Sequence, residues 1–105
     1  MNSNAFIDQS AAIILTSVAK AKELGIPEKK WVYLHGCADA YDHWHLSDRI
    51  NFHSSPAMSK VAKEAFEMAD FTLADIDALD LYCCFPSAVQ IACDEMGVSL
   101  DDPRG

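Results

Sequence analysis

Two adjacent cysteines, Cys83 and Cys84, are the residues of this chain best suited to covalent chemistry. Alternating apolar residues before them predict a strand, and Pro86 directly after Phe85 predicts the start of a helix. At such a junction, unpaired backbone N–H groups and the positive end of the helix dipole favour the thiolate form of a cysteine. Because free cysteine is often buried, Cys93 and the Cys83–Cys84 pair also fit a simpler interpretation as small core residues.

A second set of chemically capable side chains lies between residues 35 and 55, where periodicity is lost. It consists of His35, Cys37, Asp39, Asp42, His43, Trp44, His45, Asp48 and His53. The histidines, Cys37 and the aspartates are ligand types for zinc, but their spacing is not that of a zinc finger, and His43 and His45 could share a metal only on an extended backbone. We therefore expect no metal, and a small zinc-binding domain is the least favoured alternative. A long loop of this kind in a compact domain is often functional.

Three apolar segments predict strands on either side of these residues. They are residues 11–15, residues 31–34 and residues 76–82. A helix over residues 18–24, capped by Thr16 or Ser17 and ended by Gly25, separates the first two. Ser55 and Pro56 predict the start of a second helix, whose apolar face comprises Met58, Val61, Ala62, Ala65, Phe66 and Ala69. Thr72 and Asp75 predict one capped helical turn, and a third helix runs from Pro86 to Gly97.

The order β-α-β-loop-α-β-α predicts an α/β fold. We expect a mixed, partly parallel sheet of about three strands with helices packed on it. With 105 residues, the chain can close one hydrophobic core, so residues 1–105 are expected to form a single domain. The polar tail, residues 101–105, is expected to fray.

The net charge excludes some partners. Eight basic and 16 acidic residues give a net charge of −8, which repels nucleic acid and anionic membranes. The apolar run at residues 11–15 is too short to span a bilayer, and the first residues lack the basic start of a secretory signal. We therefore expect a cytoplasmic protein with reduced thiols.

Three longer motifs carry a family resemblance. They are residues 35–44 (HGCADAYDHW), residues 53–57 (HSSPA) and residues 81–90 (LYCCFPSAVQ). With the run at residues 71–77 (FTLADID), they resemble the early part of the C-terminal half of a thiolase. The similarity is to the sterol-carrier-type branch, and within it to bacterial thiolase-like "acetyl-CoA acetyltransferase" proteins.

The resemblance implies acyl transfer and Claisen chemistry on acyl-CoA thioesters, with coenzyme A as co-substrate and no bound cofactor. It makes Tyr82, Cys83 and Cys84 the candidate catalytic residues, in the loop that reads Asn-Glu-Ala-Phe or His-Asp-Cys-Phe in thiolases. It makes His35, His43, Trp44, His53 and Phe85 candidate substrate-binding residues around an acyl or pantetheine pocket. The family uses its first loop position to hold a water in an oxyanion hole, so Tyr82, a longer phenolic donor, is expected to act differently.

The chain departs from the family pattern in what it lacks. It contains no Gly-His-Pro, no Cys-x-Gly and no nucleophilic cysteine from the N-terminal half. We therefore expect a fragment of a thiolase-like acyltransferase that is inactive as an isolated chain. The alternative is a non-catalytic module that binds a ligand, an acyl-CoA or a partner. An unpaired sheet edge also predicts a homodimer or strand-swapped oligomer.

Overall fold

The computed structural model describes residues 6–105, and its regular elements are helical. Within that range there are three α-helices: α1 (Val18–Glu23), α2 (Pro56–Ala69) and α3 (Pro86–Met96). Short 3-10 helices occur at Glu28–Lys30, Leu46–Asp48 and Leu73–Asp75.

The helix ends follow from local chemistry, as predicted from the sequence. Ser17 and Ser55 cap α1 and α2 by accepting hydrogen bonds from the N–H groups of Lys20 and Met58, respectively, each at 3.2 Å. α3 starts at Pro86 without a side-chain cap, and Gly97 ends it in the left-handed conformation. Ends that use such specific residue types are readable from sequence because the cause is local.

α2 and α3 contact each other and form the centre of the larger part of the chain. The buried side chains there are Ser55, Cys93 and Val98. The predicted apolar face of α2 is only half-buried: Val61, Ala62, Ala65, Phe66 and Ala69 are intermediate in exposure, and Met58 is exposed.

Segment 35–37 approaches α2 very closely at Gly36. A Cβ atom at position 36 would overlap the backbone carbonyl of Ala65 and lie 3.2 Å from the Cβ of Ala69. The absence of a side chain at this position is therefore what allows the two backbones to touch.

The predicted α/β fold, with its sheet of about three strands, is wrong for the residues that the structure describes. No strand is formed between residues 6 and 105, and residues 11–15, 31–34 and 76–82 lie outside the helices without a ladder. A strand exists only when a neighbouring backbone accepts and donates its hydrogen bonds. The apolar, β-branched composition of these segments predicted burial between layers. Composition alone does not determine whether a second strand lies alongside to pair with them.

The chain divides into two compact units. One comprises His35–Gly105 and contains α2 and α3; the other is the described part of Asn4–Leu34 and contains α1. In the shorter unit Ala21 is buried, and the indole N–H of Trp31 donates to the carbonyl of Ile26 at 3.0 Å.

The C-terminal residues are anchored, contrary to the expectation of fraying. The guanidinium of Arg104 donates to the carbonyl oxygens of Leu73 at 2.6 Å and Ile76 at 3.2 Å, and it pairs with Asp102 at 2.8 Å. The N–H of Leu79 donates to the Arg104 carbonyl at 2.8 Å. We call this set of bonds the Arg104 clamp. A single guanidinium with five donors can hold several acceptors at once, so a short polar tail can still be ordered.

Candidate functional site

The segment Tyr82–Phe85 leads directly into α3, as the sequence predicted. Phe85 is the N-cap residue in extended conformation, and its side chain makes no capping hydrogen bond. The N–H groups of the first helical turn therefore have no side-chain acceptor from the N-cap. Tyr82 and Phe85 are both exposed, on either side of the two cysteines.

The cysteines of the chain differ in accessibility. All four are free thiols; Cys37 and Cys83 are exposed, Cys84 is half-buried and Cys93 is 4% exposed. The core interpretation is confirmed for Cys93. It does not describe Cys83, whose thiol is open to solvent.

We call the stretch between residues 35 and 55 the histidine-rich segment. Part of it lines an open depression of about 380 Å³ beside the start of α2. Tyr41, His43, Trp44 and His45 contribute to its walls, and Pro56 and the other lining residues complete it. The rings of Tyr41 and Trp44 stack with centroids 6.4 Å apart and planes at 28°. Two of the predicted substrate-binding residues, the sequence neighbours His43 and Trp44, thus line the same depression.

The other predicted substrate-binding residues lie elsewhere. His35 stacks on Phe71, with ring centroids 5.3 Å apart and planes at 28°. The backbone N–H of His53 donates to the side chain of Asn51 at 3.0 Å. Ring contacts in residues 6–105 involve neither Tyr82 nor Phe85. The structure therefore separates the predicted residues into small groups.

A polar cluster that the sequence did not reveal surrounds Ser55, which is 4% exposed. Its hydroxyl donates to a carboxylate oxygen of Asp42 at 2.6 Å and accepts from the N–H of Met58 at 3.2 Å. Its backbone N–H donates to Glu95 at 2.7 Å. Arg49 lies 3.9 Å from the same Asp42 oxygen. We call Asp42, Arg49, Ser55 and Glu95 the Ser55 cluster.

The Ser55 cluster joins the histidine-rich segment to both long helices. Asp42 and Arg49 belong to that segment, Ser55 caps α2 and Glu95 is on α3. The capping role of Ser55 was predicted from the sequence. Its two acidic partners were not, because they are 13 and 40 residues away and no local pattern marks such a distance.

Two carboxylates have shifted proton affinities. Hydrogen bonds from Arg104, through its side chain and its backbone, lower the pKa of Asp102 from 3.8 to about 2. Hydrogen bonds from the hydroxyl and the backbone of Thr72 lower the pKa of Asp75. The Asp102 hydrogen bonds raise the pKa of Arg104. These groups serve the Arg104 clamp and the turn at Leu73–Asp75 and lie outside the candidate site.

The distribution of ligand-type side chains bears on metal binding. No group of three or more His, Cys, Asp or Glu side chains within residues 6–105 is arranged to hold a metal ion. The Ser55 cluster uses its carboxylates for hydrogen bonds and an ion pair instead.

Comparison with known proteins identifies the family. The family described as "Thiolase C-terminal domain-like" matches residues 38–101, which include Ser55, α2, the Tyr82–Phe85 segment and α3. This chain belongs to that thiolase family. The resemblance inferred from the three motifs is thereby confirmed, and the region matched is from the C-terminal part of a thiolase.

A solved structure supports the assignment. The chain is similar to a monomeric SCP2-thiolase like protein type 1 from Mycobacterium smegmatis, with 46% sequence identity and a TM-score of 0.78. The match covers 85% of this chain and 20% of the mycobacterial chain. This thiolase-like chain thus matches about a fifth of that relative's length. No curated protein matches it.

The prediction of a homodimer or strand-swapped oligomer through a sheet edge is contradicted. That prediction required an unpaired sheet edge, and residues 6–105 contain no sheet. The similar mycobacterial protein is described as monomeric. Separately, no helix among the described residues is long and apolar enough to cross a bilayer.

Proposed function

We propose that the segment Tyr82–Phe85 contributes one wall of an acyl-CoA site of thiolase type, and that the chain by itself does not turn over thioesters. The observation that carries the proposal is the position of this segment. In a member of the thiolase family, exposed Tyr82 and Cys83 lie in the segment that ends at Phe85, the N-cap of α3, whose side chain makes no capping hydrogen bond.

The chemistry of this position suits a thioester. A carbonyl oxygen that gains negative charge is stabilised by N–H donors and by the positive end of a helix. In the first turn of α3, Pro86 has no N–H and the Ala88 N–H donates to the Phe85 carbonyl at 2.9 Å, so the Ser87 N–H and the positive end of the helix are what this turn supplies. The hydroxyl of Tyr82 adds a further donor. The ring of Phe85 offers an apolar contact for an acyl chain. His43 and Trp44, which line the depression beside α2, are proposed as contacts for another part of the substrate, whereas His35 and His53 remain predictions.

The segment Tyr82–Phe85 is not sufficient for catalysis by itself. Claisen chemistry requires a nucleophilic thiolate, a group that moves protons and oxyanion donors in one place. The sequence has no Gly-His-Pro and no Cys-x-Gly to supply the proton-transfer part. We therefore assign the chain a part in an acyltransferase of lipid metabolism, with coenzyme A as co-substrate and no resident cofactor. Free thiols at all four cysteines support the cytoplasm as its proposed location.

The test uses the accessibility of two exposed cysteines. Alkylation by iodoacetamide is followed at each thiol by mass spectrometry, with and without millimolar acetoacetyl-CoA. Bound thioester is expected to slow alkylation of Cys83 at least about twofold, the protection reached near half-occupancy, and to leave Cys37 unchanged. Tyr82→Phe, which removes the hydroxyl donor and keeps the ring, should weaken the protection.

Turnover is measured in the same samples. Acetoacetyl-CoA and free coenzyme A should give no thioester cleavage above the background of a protein-free control. Unchanged alkylation of Cys83 at saturating thioester would refute a role for the segment in the site, and clear turnover would refute the non-catalytic assignment.

A further inference from the structure

Cys83 and Cys84 are neighbours in the sequence, and both are free thiols. Cys83 is exposed and Cys84 is half-buried, whereas Cys93, on α3, is buried. A trans peptide bond keeps the Cα atoms of adjacent residues about 3.8 Å apart. The two sulfur atoms can therefore meet through rotation of the side chains and a local change of the backbone, wherever the two compact units lie.

The backbone at this pair is not held by a helix. Residues 82–84 precede α3, and within residues 6–105 their backbone groups make no hydrogen bond to another backbone group. The first turn of α3 is closed by the Phe85 carbonyl, which accepts from the N–H of Ala88 at 2.9 Å. Because a backbone without such bonds changes its dihedral angles at low cost, a change at residues 82–84 can leave α3 intact.

A bond between these two sulfur atoms is strained and easily reduced. Ordinary disulfides join Cα atoms roughly 4.4–6.8 Å apart, which is farther than the separation of two neighbours. Strain favours the reduced form, and exposed, strained disulfides are typically labile and regulatory. The pair is therefore suited to a reversible switch and not to a permanent cross-link.

We propose that Cys83 and Cys84 form a reversible disulfide that regulates the segment Tyr82–Phe85. The oxidant is a low-molecular-weight disulfide. The Cys83 thiolate attacks one sulfur of the oxidant, which forms a mixed disulfide and releases one thiol. The Cys84 thiolate then attacks the Cys83 sulfur, so the mixed disulfide breaks and a second thiol leaves. Two electrons pass from the pair to the oxidant, and the two protons of the pair end on the two released thiols.

Closure of this ring alters the proposed thioester site. It removes the exposed Cys83 thiol and changes the backbone between Tyr82 and Phe85, whose side chains the proposed site uses. The oxidised chain is expected to bind acetoacetyl-CoA at least about tenfold more weakly, as for the loss of one or two hydrogen bonds. This consequence rests on the proposed function, whereas formation of the disulfide does not.

The first experiment counts thiols in the variant Cys37→Ser, which keeps the pair and the buried Cys93. The chain is incubated with millimolar glutathione disulfide, and its remaining thiols are labelled with a maleimide and counted by mass spectrometry. The count is expected to fall by two, without added glutathione, in a chain that stays monomeric on a non-reducing gel. Reduced glutathione is expected to restore both thiols.

Cys84→Ser on the Cys37→Ser background is the matched control. It keeps the attacking thiol and removes the resolving one, so it should accumulate one glutathione on Cys83. An unchanged thiol count in Cys37→Ser, glutathione retained by that chain, or a disulfide between two chains would overturn the ring. Loss of two thiols from the control without added glutathione would assign the pairing to Cys83 and Cys93 instead and also overturn it.

The second experiment measures binding of acetoacetyl-CoA to the reduced and oxidised forms of Cys37→Ser by isothermal titration calorimetry. Weaker binding by the oxidised form is the expected result. Equal affinities of the two forms would overturn the regulation. Ring closure together with no binding by the reduced form would refute the proposed thioester site, and the disulfide itself would stand.

Discussion

At the scale of single residues, Ser55 links three parts of the larger unit by hydrogen bonds. The Ser55 hydroxyl accepts a hydrogen bond from the N–H of Met58 in the first turn of α2 and donates one to Asp42. The Ser55 backbone N–H donates to Glu95. Since both carboxylates are half-buried, their hydrogen bonds are strengthened by reduced access to water. The position of the histidine-rich segment on α2 depends on this residue.

Ser55→Ala is expected to lower the free energy of unfolding by about 1–2 kcal/mol, because it removes the helix cap and leaves an Asp42 oxygen without its donor. Chemical denaturation followed by circular dichroism measures the loss. Ser47→Ala is the matched control, since Ser47 is exposed and its hydroxyl has only a 3.4 Å contact with Asp48. Similar losses for both variants would contradict a special role for Ser55.

Sequence reasoning at this scale succeeded where the cause was local. Ser17, Ser55 and Gly97 were identified as helix ends because caps and left-handed residues have strong type preferences. Glu95 could not be found in this way. Nothing within a few residues of an acidic side chain on a helix reveals a partner 40 positions earlier.

At the scale of elements, close approach of segment 35–37 to α2 depends on a missing side chain. Gly36→Ala is expected to destabilise the larger unit by about 1–3 kcal/mol, because the new methyl group overlaps the Ala65 carbonyl and the helix must shift. The midpoint of thermal unfolding measures the effect.

Gly105→Ala is the control for Gly36→Ala. An added methyl group there meets only the Asp102 carbonyl at 3.8 Å, an ordinary contact, so stability should change by less than about 0.5 kcal/mol. If both variants unfold at the native midpoint, segment 35–37 does not pack on α2 as described.

The Arg104 clamp gives this part of the chain a defined response to acid. Because the folded pKa of Asp102, about 2, is below its ordinary value of 3.8, the pairing stabilises the folded state above pH 3.8 and is lost as pH falls through about 2. Asp75, whose pKa is also lowered, contributes in the same direction.

The carboxyl carbon of Asp102, observed by NMR, should therefore titrate near pH 2, and the guanidinium Nε–H of Arg104 should shift in parallel. Asp102→Asn should abolish the Arg104 transition. Titration of Asp102 near 3.8 would show that the clamp does not form in solution.

The helical elements could be predicted from the sequence and the sheet could not. α2 and α3 carry their start and stop signals within themselves, and both were placed correctly. The segments at residues 11–15 and 31–34 are apolar, as strands often are, but a strand forms only when a second backbone pairs with it through hydrogen bonds. Their prediction as strands failed because the sequence within each segment does not specify its neighbour.

At the scale of the whole molecule, most large apolar side chains of residues 6–105 are exposed or half-buried. The buried hydrophobic side chains of the described residues are Ala21, Cys93 and Val98, all of modest size. A chain of 105 residues with half of them apolar has the material for a larger core.

The candidate site was also predicted only in part from the sequence. The placement of Tyr82–Phe85 before α3 was predicted from the helix start at Pro86, and the family match includes this segment. The strand predicted at residues 76–82 does not form. The separation of the histidines was not predicted. A segment without helical or strand periodicity does not indicate which of its side chains lie close together.

The two tryptophans are divided between the two units, and their surroundings differ. Trp31, in the shorter unit, has its indole N–H bonded to Ile26, whereas Trp44, in the larger unit, is 86% exposed and stacked on Tyr41. Each unit consequently contains its own intrinsic fluorophore. Replacing one indole at a time by phenylalanine leaves an emission signal that reports on one unit alone, with the redder spectrum belonging to the larger.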